Sequence, residues 1–191
     1  MLLKTSPLLD IHSTISAFER ITAVHVVAVK NEVKEVLYKY SNSQGPTTIT
    51  AVNLPDKLPF EFTFEEEQET VADIGSYAEY LYEPNAAILK SGAFKSVGKQ
   101  FKLQKLDPHS HFYTSDKKIN DFPGKTFRIS KSLGKEDLKK LKGSKKNIIS
   151  RNHPLNAEQF KKKYGLNDGG DAYIIATRNL GKPVILLADL A

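Results

Sequence analysis

The hydrophobic positions of the first forty residues predict the order strand, helix, strand, strand. Leu2-Leu3 has the pattern of a strand end, and Ser13 is placed to cap a short helix that runs to Phe18. The nearly continuous apolar run AVHVVAV at 23–29 is typical of a strand buried on both faces. The alternating segment after it predicts an antiparallel hairpin that turns at Lys30-Asn31. A buried strand such as the one at Leu2-Leu3 normally has neighbours on both edges. We therefore expect the sheet to contain further strands besides those in the first forty residues.

Short strands and helices continue along the chain without an internal repeat. The alternating segment 60–64 predicts a strand, and an apolar stripe over 86–101 predicts one helix that begins near Pro84. Gly92 and Gly98 weaken that helix and suggest that something approaches its backbone closely.

The last seventy residues have the clearest local signals. Asn156 with Gln159 three positions later forms the outline of a capping box, and Gly165 is placed to end the helix that it starts. Two apolar runs, 171–177 and 183–188, predict a terminal hairpin. The whole pattern indicates a mixed α/β fold.

Composition limits the class of protein. The chain has 191 residues and no cysteine, which excludes disulfides, thiolate chemistry and cysteine-type zinc sites. No stretch approaches the roughly 20 apolar residues that span a bilayer, and the N-terminus lacks a signal-peptide pattern. We therefore expect a cytoplasmic protein without a membrane partner; the sequence does not set the oligomeric state.

Charge is unevenly distributed. Residues 58–89 contain eight acidic residues and no Lys or Arg, whereas residues 131–163 contain eleven basic and three acidic residues, a net charge of +8. A basic block of this size is typical of a surface that binds RNA or DNA, and a merely solvated lysine-rich surface is the alternative. The residues expected to contact phosphate are Lys139, Lys140, Lys142, Lys145, Lys146, Arg151, Lys161, Lys162 and Lys163.

Candidate chemistry is sparse, and no catalytic residue can be named. The chain has no glycine-rich dinucleotide motif, Walker A loop, HExxH motif or nucleophile elbow. The residues just past the first strand lie where open α/β sheets bind ligands, and equally they suit a turn that caps the next helix. These residues are Lys4, Ser6, Pro7 and Asp10.

Two further groups of residues are weaker candidates. Glu83 and Asn85 with Lys90 can hold an anion or substrate at a helix start, or can simply be good first-turn residues. His109 and His111 have a spacing that can bind a metal, but no third ligand lies nearby, so we expect no metal site and a hydrogen-bonded surface pair instead.

Five segments resemble one known family in order along the chain. They are LLKTSPLLDI, VHVVAVKNEVKEVLY, YLYEPNAAILKSGAF, HSHFYTSD and RNHPLNAEQFKKKYGLNDGGDAYIIAT. The chain is similar to the C-terminal portion of bacterial class I S-adenosylmethionine-dependent methyltransferases that carry a THUMP-like C-terminal domain. The resemblance covers essentially all 191 residues, and the stretch from Arg151 to Thr177 makes it specific.

The resemblance implies an organisation and a cofactor. Residues 1–58 are expected to form the terminal strands of a Rossmann-like methyltransferase sheet, and residues 59–191 an α+β region with a THUMP-like module at about 120–191. In that family the S-adenosylmethionine-binding strands precede these segments, so we expect either a fragment or the product of a shortened gene. The intact parent would bind S-adenosylmethionine and be an enzyme, whereas this chain alone is expected to bind no cofactor and to be inactive.

The resemblance also implies a function. Lys4, Ser6, Pro7 and Asp10 would form part of the substrate-pocket wall, and the basic THUMP-like module would hold a structured RNA such as tRNA or rRNA. The chain would then be the substrate-binding part of an RNA methyltransferase. A non-catalytic protein-interaction module and a methyltransferase of a non-RNA substrate remain the alternatives.

Overall fold

A computed structural model of the chain describes residues 1–43, 45–56 and 58–191. These residues divide into two compact units: the first comprises Met1–Ala72 and Pro84–Phe101, and the second Asp73–Glu83 and Lys102–Ala191. Each unit holds a mixed sheet with helices, which confirms the predicted mixed α/β class. The division at residue 58 was predicted from the family resemblance and not from packing, so it stays a prediction.

The first unit is built on a five-stranded sheet. Its elements are β1 Leu2–Thr5, α1 Ile11–Ala17, β2 Ile21–Val29, β3 Glu32–Tyr40, β4 Thr48–Leu54, β5 Phe60–Thr63, α2 Phe64–Glu69, α3 Ala86–Ser91 and α4 Ser96–Phe101. The strand order is β1-β3-β2-β4-β5. The β2–β4 pair is parallel, and the other neighbours are antiparallel.

The predicted hairpin between β2 and β3 is confirmed. Its turn residues Lys30 and Asn31 have φ values of 50° and 64°, which match the twist of a two-residue hairpin loop. Val24, Val26 and Ala28 are fully buried along β2. The side chains between them are half-buried, so one face of β2 carries most of the core.

The first strand and the first helix differ from the prediction. Strand β1 lies at an edge of the described sheet and pairs only with β3, and Leu2 and Leu3 are 64% and 43% exposed. Helix α1 is capped by Asp10 and not by Ser13: the Asp10 carboxylate accepts the Ser13 amide hydrogen at 2.6 Å. Ser13 is therefore the donor of the cap, because the helix starts three residues earlier than predicted.

The prediction of a single helix over 86–101 is wrong. Gly92 adopts a left-handed conformation, with φ of 78°, and ends α3, so that α4 starts as a separate helix at Ser96. The two short helices keep the apolar spacing of one long helix, which explains why the stripe looked continuous. The break turns the amides of residues 95 and 96 toward α2, where Glu67 accepts their hydrogens.

The second unit contains a seven-stranded sheet with two helices. Its elements are β6 Tyr80–Pro84, β7 Gln104–Lys105, β8 Tyr113–Ser115, β9 Gly124–Ser132, α5 Lys135–Lys140, β10 Asn147–Ser150, α6 Ala157–Tyr164, β11 Tyr173–Asn179 and β12 Lys182–Leu190. The strand order is β10-β11-β12-β9-β6-β8-β7. The β10–β11 pair is parallel and the β11–β12 hairpin antiparallel.

Two apolar clusters cover the two faces of this sheet. Ile175 belongs to one cluster, and its neighbours Ile174 and Ala176 belong to the other, because successive side chains of β11 point to opposite faces. The second cluster also includes Leu138 of α5 and Phe160 of α6. Both helices therefore pack on the same face of the sheet.

The local signals of α6 are confirmed. Asn156 Oδ1 accepts the Gln159 amide hydrogen at 2.9 Å, and Gln159 Oε1 accepts that of Asn156 at 3.0 Å. Gly165 ends the helix with φ of 63°. The terminal hairpin is also confirmed, with Leu180 and Gly181 as its positive-φ turn residues.

Candidate functional site

Helices α5 and α6 present their lysines to solvent. Each helix buries one apolar side chain, Leu138 or Phe160, and the loop after α5 lies against the end of α6 through a 2.7 Å bond from the Gly143 amide to the Gly165 carbonyl. This arrangement brings the basic residues of both helices into one region. We call it the lysine surface: Lys139, Lys140, Lys142, Lys145, Lys146, Lys161, Lys162 and Lys163.

Two members of the lysine surface are engaged in ion pairs. Lys139 pairs with Glu136 at 2.7 Å. Lys161 pairs with Asp168 at 2.8 Å and with Glu158, and its side chain is only 13% exposed. The hydrogen bonds that Lys161 donates to Asp168 and Glu158 raise the pKa of Lys161. Lys161 therefore stabilises the end of α6, and its ammonium group is less available to a ligand than those of its neighbours.

The other six lysines form no ion pair with the described part of the chain. They are Lys140, Lys142, Lys145, Lys146, Lys162 and Lys163, of which all but Lys146 are exposed. The ammonium group of Lys163 lies 5.5 Å from the ring centre of Tyr164, in cation–π geometry. Six uncompensated positive charges in one region favour binding of a polyanion.

Arg151 is separated from the lysine surface. Its guanidinium group contacts Glu83 Oε1 through Nε and Nη2, both at 3.2 Å. Ile149, two residues earlier on β10, packs against the cluster opposite to the one that holds Leu138 and Phe160. The Arg151 side chain thus lies on the other face of the sheet, and Glu83, a predicted substrate contact, is its buried ion-pair partner.

A cavity of about 450 Å³ lies in the first unit. Its polar lining consists of Asp10, His12, Glu67, Gln68, Lys90 and Lys95, and Leu89 and Phe94 contribute apolar surface. Asp10 and Lys90 come from two different groups predicted from the sequence. The fold brings them to the same cavity.

The turn before α1 is fixed to α3 at this cavity. Lys90 Nζ donates a 2.7 Å hydrogen bond to the Leu9 carbonyl, and His12 Nε2 lies 3.1 Å from the Ser91 carbonyl oxygen. Hydrogen bonds from Ser13 lower the pKa of Asp10, and the nearby His12 and Lys90 contribute less. The cap of α1 therefore favours the charged form of Asp10.

Glu67 is the buried charged residue of the cavity wall, with 3% of its surface exposed. Its carboxylate accepts hydrogens from the Lys95 amide at 2.8 Å, the Ser96 amide at 2.8 Å and the Ser96 hydroxyl at 2.7 Å. Lys95 Nζ in turn donates a 2.8 Å bond to the Gln68 carbonyl. Sequence patterns missed Glu67 and Lys95 because no local signal links an acidic helix to a loop nearly thirty residues later.

The remaining predicted residues lie outside the cavity lining. Lys4 pairs with Glu35 across β1 and β3, and Ser6 Oγ accepts the Leu8 amide hydrogen at 3.3 Å in the turn that contains Pro7. Asn85 caps α3 by accepting the Ile88 amide hydrogen at 3.1 Å. The ligand roles predicted for these residues stay predictions.

Two other features of the described residues concern metals and membranes. No group of three or more His, Asp or Glu side chains is arranged to hold a metal ion within the described ranges. None of the described helices is long and apolar enough to cross a membrane.

Comparisons with known proteins give two family matches, both in the part of the chain after residue 79. Residues 80–123 match a family model described as a ferredoxin-like domain, and residues 124–190 match one described as THUMP domain-like. The chain is also similar to the crystal structure of a "putative methyltransferase" from Porphyromonas gingivalis W83, with 35% sequence identity and a TM-score of 0.89. No curated protein matches the chain.

The structural match covers 100% of this chain and 51% of that protein, so the chain spans about half the length of the neighbour. These findings confirm the predicted THUMP-like module and the likeness to a methyltransferase protein. The ferredoxin-like domain was not anticipated from the sequence, because its short strands gave only weak alternating patterns.

Proposed function

We propose that this chain is the RNA-binding part of an S-adenosylmethionine-dependent methyltransferase that acts on a structured RNA of the tRNA or rRNA type. The observation that carries the proposal is a set of six lysines that form no ion pair with the described residues, on a module that matches a THUMP-like domain. A THUMP-like domain suggests an RNA-binding module, and the lysine surface gives that module a suitable charge.

The lysine surface is suited to the phosphate backbone rather than to individual bases. Lysine ammonium groups are flexible point charges, which bind phosphates without a fixed geometry. Phe160 is fully buried and Tyr164 half-buried, so the rings of α6 belong mainly to the core. Affinity should therefore depend on counterion release and on RNA shape, and little on sequence.

The proposed Rossmann-like character of residues 1–58 is supported by the first unit. Its β2 and β3 form an antiparallel hairpin, as the family resemblance implies for the last two strands of a methyltransferase sheet. The exposed Leu2 and Leu3 on the edge strand β1 are compatible with pairing to a further strand.

S-adenosylmethionine does not fit the residues of this chain. The sequence has no glycine-rich strand–loop–helix motif. A Cβ at Gly92 would lie 2.5 Å from His12 Nε2, so this glycine is packed against an imidazole and offers no open backbone for a cofactor. We infer that this chain alone does not bind S-adenosylmethionine, and calorimetric titration of the cofactor into the chain tests this inference.

A protein-interaction role is the second candidate, and one observation favours it. Leu2, Leu3, Leu8 and Leu9 are all at least 43% exposed within nine residues. Exposed apolar residues grouped in this way are typical of an interaction surface. A methyltransferase of a non-RNA acceptor would share the same first unit and would differ in the absence of RNA binding.

Binding to a fluorescent structured RNA across a salt series tests the proposal. We expect micromolar affinity that falls steeply as salt increases. The double variant Lys162→Glu/Lys163→Glu should weaken binding by about tenfold or more and reduce the salt slope by about two. Lys117→Glu/Lys118→Glu is the matched control, because these adjacent lysines are equally exposed and lie outside the lysine surface.

Equal losses in the two double variants would show that net charge alone governs binding. Absence of binding at low salt would exclude the RNA-binding role for this chain. In that case the exposed leucines of the N-terminal segment would make the interaction role the better explanation.

A further inference from the structure

The cavity of the first unit contains two lysines whose charge is not neutralised locally. Lys90 and Lys95 both line it, and neither has a carboxylate within 4 Å in the described part of the chain. Each ammonium group donates one hydrogen bond to a backbone carbonyl, that of Leu9 or Gln68. An ammonium group has three donors, so each lysine is fixed in position and keeps donors for a ligand.

The acidic residues of the same cavity serve a different purpose. Both oxygens of Glu67 accept hydrogens from the backbone and side chain at the start of α4. Asp10 accepts the Ser13 amide hydrogen at the start of α1. Both carboxylates are held by helix amides, and neither forms an ion pair with Lys90 or Lys95, although Lys90 lowers the pKa of Asp10. The two ammonium groups therefore keep donors for an anion although the lining contains two acids.

We propose that this cavity binds the phosphate group of a small ligand or of a nucleic acid end, held by the ammonium groups of Lys90 and Lys95. Charge-assisted hydrogen bonds from two anchored ammonium groups are suited to a phosphate, which offers several acceptor oxygens. This inference does not depend on RNA binding by the lysine surface, which belongs to the other unit.

The dimensions and the apolar wall set the size of the ligand. A volume of about 450 Å³ lies within the range of small-molecule sites and exceeds what a phosphate alone would fill. Leu89 and Phe94 provide apolar surface beside the two lysines. A phosphate attached to a group as large as a nucleoside fits this combination, so the two sources to distinguish are a free nucleotide and the 5′-phosphate of an RNA.

Calorimetric titration of the full chain tests the proposal with four probes: inorganic phosphate, adenosine 5′-monophosphate, adenosine and a short 5′-phosphorylated RNA. We expect saturable binding of phosphate-bearing probes and none of adenosine. Lys90→Met/Lys95→Met should weaken binding by about tenfold or more, because both charge-assisted contacts are lost. Methionine preserves much of the length of the side chain.

Two further variants distinguish binding in the cavity from the effects of net charge and of misfolding. Lys39→Met/Lys99→Met removes two charges from exposed positions of the same unit outside the lining and should leave affinity within about twofold. Gln68→Trp keeps both lysines and fills the cavity with an indole, so it should also weaken binding. It provides the test if the lysine double variant fails to fold, as judged by circular dichroism.

The source of the phosphate follows from which probe responds. Cavity-dependent binding of adenosine 5′-monophosphate indicates a free nucleotide, and cavity-dependent binding of the RNA alone indicates a nucleic acid end. The proposal is overturned if no phosphate-bearing probe binds, or if the cavity variants bind as well as the wild type. RNA binding that responds only to Lys162→Glu/Lys163→Glu, with no cavity-dependent binding of any probe, overturns it too and leaves the proposed RNA function intact.

Discussion

The two units of this chain hold their lysines in different ways. Around the cavity of the first unit, Lys90 and Lys95 are tied to backbone carbonyls, and the wall is held by the buried carboxylate of Glu67. On the lysine surface of the second unit, Lys162 and Lys163 are exposed and form no ion pair with the described residues. Anchored ammonium groups favour one ligand geometry, whereas exposed ones follow the path of a polyanion.

Removal of the Glu67 carboxylate is expected to give the largest effect, because the frame of the cavity depends on it. Glu67→Ala leaves the Lys95 and Ser96 amides and the Ser96 hydroxyl without their acceptor in a buried site. We expect a loss of about 3 kcal/mol in the free energy of unfolding, measured by urea denaturation. Glu69→Ala, which removes an exposed carboxylate from the same helix α2, is the control. Equal losses in the free energy of unfolding of both variants would contradict a structural role for the buried Glu67 carboxylate.

Acid should destabilise the second unit through His111. Burial, with a smaller contribution from the nearby Lys105, His109 and Arg151, lowers the pKa of His111 from 6.5 to about 4. The unfolded chain then binds the extra proton below pH 6.5, so stability is full above that pH and falls toward pH 4. We expect this residue to account for about 2 kcal/mol between pH 7 and pH 4.5, because its partial exposure to solvent screens part of the effect.

Comparison with His111→Asn isolates that contribution from the titration of carboxylates. Asparagine tolerates the left-handed backbone at this position, where φ is 53°. Urea denaturation of both proteins at pH 7 and pH 4.5 should show a smaller acid loss in the variant. The same acid loss in both proteins would show that His111 is not buried in its neutral form.

A moderate effect is expected from the capping box that holds α6. Asn156→Ala removes the acceptor of the Gln159 amide hydrogen and should lower the free energy of unfolding by about 1 kcal/mol. Hydrogen exchange should increase in the first turn of α6 and remain unchanged in the first unit. A uniform increase over both units would mean that the units unfold together.

The smallest effect concerns Lys161, the ion-paired and largely buried member of the lysine surface. Asp168→Asn removes one partner of Lys161 and one negative charge beside the lysine surface. We expect RNA affinity to rise by about twofold at low salt, with less change at high salt. A fall in affinity would mean that Lys161 must be held by Asp168 for the surface to bind RNA.

Local patterns predicted the parts of the fold that depend on neighbouring residues. The capping box at Asn156, the helix end at Gly165 and the hairpin at Lys30-Asn31 are each encoded within a few positions, and all are confirmed. The broken helix at Gly92 was missed. Its apolar spacing continues across the break, and its second half is capped by a residue almost thirty positions away.

The candidate sites show the same limit. The lysine surface could be predicted because its members are close in sequence, although Arg151 points to the opposite face of the sheet. The cavity could not be predicted as a whole, because it combines Asp10, Glu67 and Lys90 from three distant segments. Asp10 and Lys90 were predicted in two separate groups, and only the tertiary fold shows that they line one cavity.

The position of β12 in the seven-stranded sheet has a consequence for biosynthesis. This strand, Lys182–Leu190, lies between β11 and β9, so it connects β10 and β11, on which α5 and α6 pack, to β9, β6, β8 and β7. During translation the sheet cannot close until β12 has left the ribosome. Until then β9 and β11 expose unpaired edges. We therefore expect chaperones to bind the nascent chain mainly during this interval.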